Sequence, residues 1–275
     1  MARKTWFITG TSRGFGREWT IAALERGDNV AATARNVSSL DDLAAKYGDR
    51  LMPIQLDVTD REAVFTEVRD AHDRYGRLDI IVNNAGYGQF GFVEELTEQE
   101  AREQIDTNLF GALWVTQAAL PFLRAQGSGH ILQVSSIGGI TAFGGLGIYH
   151  ASKWALEGLS QALAQEVASF GIKVTVIEPG GFSTDWGGAS AKHTTPLSDY
   201  DEVREERARF RAARVAVQGD PAATGAAVLK IVDAEEPPLR VFFGESPLAL
   251  ATNDYESRLA MWRKWQPVSI EAQGT

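Results

Sequence analysis

Short apolar runs alternate with longer stretches of helical periodicity along the whole chain. Residues 5–9, 29–34, 51–56, 79–82, 130–135, 172–177 and 240–243 read as strands, several of them nearly continuous in Val, Ile, Leu, Phe and Ala. Between them, residues 15–26, 38–47, 60–75, 98–125, 149–170 and 221–234 repeat their apolar positions at helical spacing. Strands that alternate with helices predict βαβ units. Strands without polar alternation predict a sheet covered on both faces. The expected fold is therefore α/β: one Rossmann-type, doubly wound parallel sheet of about seven strands, with helices on both faces and ligands at the carboxyl ends of the strands.

Two stretches depart from this rhythm. Residues 182–216 open with Gly, Ser and Ala and then become highly charged, with a helix start expected at Ser198. Such an insertion after a late strand reads as a flap over a site. Residues 245–275 form a C-terminal tail beyond the last strand. With no repeat and no low-complexity tract, the expectation is one domain spanning 1–275.

Composition narrows the chemistry. The net charge of −9 disfavours general binding to nucleic acid or to an anionic membrane. The absence of cysteine excludes disulfides, thiolate nucleophiles and Cys-ligated metals. The four histidines, at 72, 130, 150 and 193, lack close ligand spacing, so no metal is expected. No apolar run approaches the ~18 residues of a membrane span. The basic start MARK is followed by too short an apolar stretch for a signal peptide. A cytoplasmic protein is the expectation.

Residues 9–16, TGTSRGFG, join the first strand to the first helix. Glycines at 10, 14 and 16 allow a tight turn and close approach of a pyrophosphate to the helix N-terminus. The spacing differs from GxGxxG, and no Walker lysine follows. An NAD site would place a carboxylate at the end of the second strand. Here that strand ends Thr33-Ala34-Arg35, and Arg13 and Arg35 are suited to a 2′-phosphate. The expected cofactor is NADP(H).

Tyr149 and Lys153 stand four residues apart, on one helix face, thirteen residues after Ser136. A cation beside a phenol favours its ionised form, which suits proton exchange with a carbonyl or an alcohol. One tyrosine of six has a lysine at this spacing, so the pair alone is weak evidence.

The ordered set TGTSRGFG (9–16), LDV (56–58), NNAG (83–86), Asn108, VSS (134–136), YHASK (149–153) and PGGFST (179–184) resembles the short-chain dehydrogenase/reductase family. The likeness to hydroxysteroid and retinol dehydrogenase-like carbonyl reductases is looser. The resemblance implies Tyr149 as proton donor in reduction, Lys153 as the group that lowers its pKa and binds the nicotinamide ribose, Ser136 on the substrate oxygen, and Asn108 holding a water linked to Lys153. It implies a cofactor seated on Gly10, Ser12, Arg13, Gly14, Phe15 and Gly16, near Arg35. Asp57, Val58, Asn84, Ala85 and Gly86 would lie on the adenosine side, and Pro179, Gly180 and Thr184 at the nicotinamide. The implied activity is NADPH-dependent, reversible reduction of a ketone or aldehyde. A β-ketoacyl-thioester reductase and a non-catalytic NADP-binding regulator are the alternatives. His150, after the tyrosine, departs from the small residue or Cys of many members.

Gln89, Ile137, Phe143, Phe182 and Trp186 are the expected substrate pocket, apolar enough for a hydrophobic or mixed small molecule. Residues 101–125 and 149–170 carry more apolar surface than one buried face needs. A homodimer or homotetramer through these helices is expected.

Overall fold

The computed structural model describes residues 3–188, 190–213 and 218–274. Seven parallel strands form the central sheet: β1 (Thr5–Ile8), β2 (Asn29–Ala34), β3 (Leu51–Gln55), β4 (Ile80–Asn83), β5 (Gly129–Val134), β6 (Ile172–Pro179) and β7 (Arg240–Phe243), in the order β3-β2-β1-β4-β5-β6-β7. Every strand predicted from the sequence is present, with ends moved by two residues at most.

The nine α-helices of the described residues are α1 (Gly14–Arg26), α2 (Asp41–Tyr47), α3 (Arg61–Tyr75), α4 (Glu98–Ile105), α5 (Gly111–Gln126), α6 (Gly147–Val167), α7 (Asp201–Ala213), α8 (Thr224–Asp233) and α9 (Ser246–Ala272). The period-two alternation of each strand divides the core. Trp6, Ile8, Val30 and Ala32 face α1, α2 and α8, and pack with Trp19, Leu43 and Val228. Phe7, Ala31 and Ile81 face the other way, onto α3, α5 and α6, with Val68, Val115 and Leu163. Both sheet faces are covered, which explains the apolar continuity of the strands.

The chain turns to opposite sides of the sheet after β1 and β4, and this switch point opens a crevice at the carboxyl edge. Three features were not legible in the sequence. The predicted helix 98–125 is interrupted by a π turn, Asp106–Phe110, that carries Asn108. A two-stranded parallel pair, Gln89–Phe90 with Lys192–His193, stitches the segment after β6 to the body. The tail is one long helix, α9, after its first residues. Within 182–216, positions 189 and 214–216 lie outside the described residues; the rest contains the short pair and α7, which begins three residues after Ser198.

Candidate active site

A cleft of 1430 Å³ runs along the carboxyl edge of the sheet. At one end it is lined by Gly10, Ser12, Arg13, Gly14 and Phe15, with Arg35, Asp57, Val58, Asn84, Ala85 and Gly86 beside them. At the other end stand Ser136, Ile137, Phe143, Tyr149, Lys153, Pro179, Gly180, Phe182, Thr184 and Trp186. The sequence thus brought most of its candidates to one surface.

The glycine turn is built for close approach. Gly10 and Gly14 have φ of 69° and 58°, a region that disfavours side chains, and a Cβ on Gly10 would lie 2.9 Å from the Ala85 Cα. The first turn of α1 has neither a side-chain cap nor an acidic residue. Its N–H groups and the positive end of its dipole are therefore left for an anion. This cradle fits the pyrophosphate of a dinucleotide. Gly16 does not line the cleft; it lets α1 pass against the Gly10 carbonyl and the Asn84 amide. Asn84 is turned beneath the loop, where its Nδ2 donates to the Thr9 and Gly10 carbonyls, each at 2.9 Å. Asp57 accepts from the Thr59 N–H (3.0 Å) and hydroxyl (2.8 Å) through one oxygen, while Asp60 caps α3.

The two arginines differ. Arg13 pairs with Asp185 at 2.8 Å. Arg35 is exposed on the cleft, with no ion pair or hydrogen bond among the described residues. Ala34, before it, is buried, and no carboxylate ends β2.

At the far end, Tyr149 and Lys153 lie in the first two turns of α6, almost completely buried. Lys153 Nζ donates to the Val134 carbonyl at 2.7 Å and stands 5.9 Å from the Tyr149 ring centre. Burial, rather than Lys153, dominates the environment of the phenol. Burial pushes Tyr149 up to about 12, and the Ser136 hydroxyl only partly opposes it. Burial also lowers Lys153 to about 8, against the pull of Glu157. Burial thus works against the charged form of each group, yet leaves Lys153 protonated below about pH 8. Ser136 itself accepts from the Gly138 N–H at 3.0 Å and so fixes the turn after β5.

Asn108 is buried away from the cleft. Its amide spans the Tyr87 backbone, accepting from the N–H at 3.1 Å and donating to the carbonyl at 2.9 Å, and also reaches Ser152 at 3.2 Å. The side chain is thus committed to holding the 84–88 loop against α6.

The substrate end is aromatic. Trp186 covers Tyr149, with ring centres 5.0 Å apart, and Phe90 rests on Trp186 at 5.2 Å. Phe182 lines the cleft but packs edge-on against Phe15 at 5.0 Å. Gln89 is a correction: it is buried off the cleft, where its N–H donates to Gln104 (2.7 Å) and its amide to Glu100 (3.3 Å). In a strand its side chain must oppose that of Phe90, and only one of the two can face the cleft.

Three further groups were not among the expected site residues. His150 bridges the loop before α6: its Nδ1 lies 2.8 Å from the Gly138 carbonyl, and its Nε2 accepts from the Phe143 N–H at 2.9 Å. Burial lowers its pKa, which keeps the ring neutral for this pairing. Lys192 lines the cleft, paired with Glu103 at 2.7 Å. Glu95 holds the segment after β6, accepting from Phe92 N–H, Leu197 N–H, Thr194 hydroxyl and Arg204. Only His150 carried a sequence signal, its place next to Tyr149; the partners of Glu95 lie up to 109 residues away.

The fold and this cleft define a Rossmann-type dinucleotide-binding oxidoreductase. The short chain dehydrogenase family model matches residues 4–195. Oxidoreductase BOA17 of Botryotinia fuckeliana is 42% identical over 97% of this chain and 98% of its own. The structure of a short-chain dehydrogenase from Streptomyces avermitilis, also 42% identical, covers 98% of this chain and 99% of that one at a TM-score of 0.90. An alcohol dehydrogenase from Thermococcus sibiricus, complexed with 5-hydroxy-NADP, is 25% identical over 88% of this chain and 96% of that one, at a TM-score of 0.74. The chain belongs to the short-chain dehydrogenase/reductase family, whose members are NAD(P)-dependent oxidoreductases.

Proposed function

We propose that this protein reduces the carbonyl of an apolar or mixed small molecule to an alcohol, reversibly and with NADPH, in the cytoplasm. The observation that carries the reading is the buried Tyr149–Lys153 pair beside Ser136, at the end of a cleft that begins at the glycine turn. When bound, the dinucleotide supplies or takes the hydride. The protein's part is to hold the carbonyl and manage a proton. The Tyr149 hydroxyl, kept neutral by burial, donates to the substrate oxygen. Ser136 hydrogen-bonds that oxygen and polarises the carbonyl. Lys153 carries positive charge to the phenol side, and Asn108 braces the loop around it. Phe90, Phe143 and Trp186 exclude water from the reacting atoms.

NADPH is favoured over NADH by the free guanidinium of Arg35 and by the absence of an acid after β2. An NADP-type ligand in the Thermococcus sibiricus structure is in line with this reading. The segment 182–216 serves as the substrate cover, anchored through Arg13–Asp185, Lys192–Glu103 and Glu95–Arg204. The working form is a homo-oligomer.

The test is NADPH oxidation across a panel of ketones and aldehydes. Tyr149→Phe should abolish turnover and leave NADPH binding nearly unchanged. A variant that keeps most of its activity would refute the proton-donor role.

A further inference from the structure

Helix α9 outruns the body it starts on. Pro247 and Ala251 are buried, and Arg258 reaches back to the Ile140 carbonyl at 3.2 Å and over the Trp154 ring at 4.5 Å. From Leu259 to Gly274 every residue is exposed. That stretch nevertheless carries Leu259, Met261, Trp262, Trp265, Val268 and Ile270, all at least 41% exposed. Most helical stability in proteins comes from the packing of an apolar face, a packing this projecting stretch lacks among the described residues. It also holds β-branched residues and an internal proline, Pro267. A run of exposed tryptophan, leucine and methionine on a projecting helix marks a surface that is covered in solution.

The pattern identifies the cover. At about 100° per residue, Leu248, Tyr255, Leu259 and Trp262 fall on one seam, continuous with the face that docks through Pro247 and Ala251. Glu256 and Arg263 lie seven residues apart on one flank of that seam. In an antiparallel helix pair, each flank meets its own copy. With the two-fold axis near Leu259, Glu256 of each chain then faces Arg263 of the other, and Tyr255 meets Trp262. The surface is complementary to itself, as an isologous contact requires. Three acids and three bases balance along α9, so nothing favours an anionic lipid surface instead.

We propose that α9 pairs antiparallel with α9 of a second copy of this chain, about a two-fold axis near Leu259. This contact rests on the homo-oligomer proposed above and adds α9 to the helices 101–125 and 149–170 through which the sequence leads one to expect it. Leu248, Tyr255, Leu259, Trp262 and Ile270 face this seam, so such a pair buries five large apolar side chains per chain, Trp and Tyr among them, a composition typical of interface centres.

The chain has no cysteine, so single cysteines report cleanly. Leu259→Cys in the full-length protein should form an intermolecular disulfide rapidly under mild oxidation. Lys264→Cys, on the opposite side of the helix, should not. Trp262→Glu should raise the dissociation constant of the α9 contact by about thirtyfold or more in sedimentation. Glu256→Arg should weaken it, and Glu256→Arg with Arg263→Glu should restore it. Sedimentation of the unmodified protein reads the oligomer independently. An oligomer in which Leu259→Cys fails to cross-link, or cross-links no faster than Lys264→Cys, overturns the α9 contact and leaves the oligomer standing. A monomer overturns both, as does a monomer that binds lipid vesicles through α9.

Discussion

Lys153 and Glu157 stand one turn apart on the same face of α6, and both side chains are buried. Glu157 is the ammonium's acidic neighbour and the one influence that supports its charge against burial. The stripe continues upward to Tyr149, so one helix face carries proton donor, cation and carboxyl in sequence. The electrostatics of the site are therefore set beneath the reacting groups as well as at them.

The first prediction concerns Lys153 itself. Its pKa is lowered from 10.5 to about 8, so the unfolded chain binds more protons than the folded one between those values. Stability should rise with pH across that window. Lys153→Met should remove the slope, stabilise the protein at neutral pH by about 1–3 kcal/mol, and reduce turnover by roughly 10²–10⁴-fold. For reduction by the free enzyme, kcat/KM should fall as pH passes about 8. Denaturant midpoints and pH–rate profiles of both proteins check this; an unchanged profile in Lys153→Arg would count against it.

The second prediction concerns the cofactor. Arg35 is exposed at the end of β2 without a carboxylate partner among the described residues, so its charge is free for a phosphate. Arg35→Asp should weaken NADPH by about tenfold to a hundredfold and leave NADH unchanged or tighter. Fluorescence titration with both dinucleotides measures the two constants. A loss equal for both would remove Arg35 from 2′-phosphate recognition.

Much of this site was legible because its signals are local. A glycine turn between strand and helix, a Tyr–Lys pair at one helical turn, and Ser136 at a strand end each declare themselves within a few residues. What was not legible depends on burial and distance. The sequence places Lys153 beside Tyr149 but cannot show that both lose their water, which reverses the expected direction of the phenol's pKa. Gln89 and Phe90 are equally plausible as pocket residues until the strand pairing with Lys192–His193 fixes which one faces the cleft. The π turn at Asn108 leaves the helical periodicity of 98–125 almost undisturbed, so it has no pattern to be read from. Glu95 is one acid among several in 94–100, and only contacts made across the chain set it apart.

The third prediction is the anchor of the segment after β6. Glu95 is enclosed and accepts from Arg204 and from the backbone of Phe92 and Leu197, which together hold its pKa down to about 2. A carboxylate depressed below its ordinary 4.5 contributes stability above that value, which is lost as pH falls toward 2. Glu95→Ala should cost about 2–4 kcal/mol and loosen the segment over the cleft, raising KM more than it lowers kcat. Hydrogen exchange at Leu197 should accelerate. Wild-type protection there in the variant would show that the other anchors suffice.

The last prediction concerns the base of the same α6 stripe. Glu157 and Glu178 are both buried and share one guanidinium: Arg240 Nε lies 3.1 Å from Glu157 and 3.5 Å from Glu178. One oxygen of each carboxyl has no hydrogen-bond partner among the described residues. Burial disfavours the ionised form of both carboxyls and their mutual repulsion adds to it, while the one shared guanidinium opposes it only in part, so the pair retains a proton. Burial, reinforced by Glu157, pushes Glu178 up to about 8 from 4.5. The folded chain then binds more protons than the unfolded chain between those values, and this pair should make stability fall as pH rises from about 4.5 to 8. Glu178→Gln keeps the shape, supplies a permanent donor to Glu157, and abolishes the charge conflict. It should be near-neutral at pH 5 and stabilising by about 1–3 kcal/mol at pH 8.5, with the pH slope reduced. Because Glu157 would then ionise freely beside Lys153, the variant should also move the alkaline limb of kcat/KM upward. Parallel unfolding curves and rate profiles at the two pH values decide the matter. A variant equally destabilised at both would show that the two carboxyls do not share a proton.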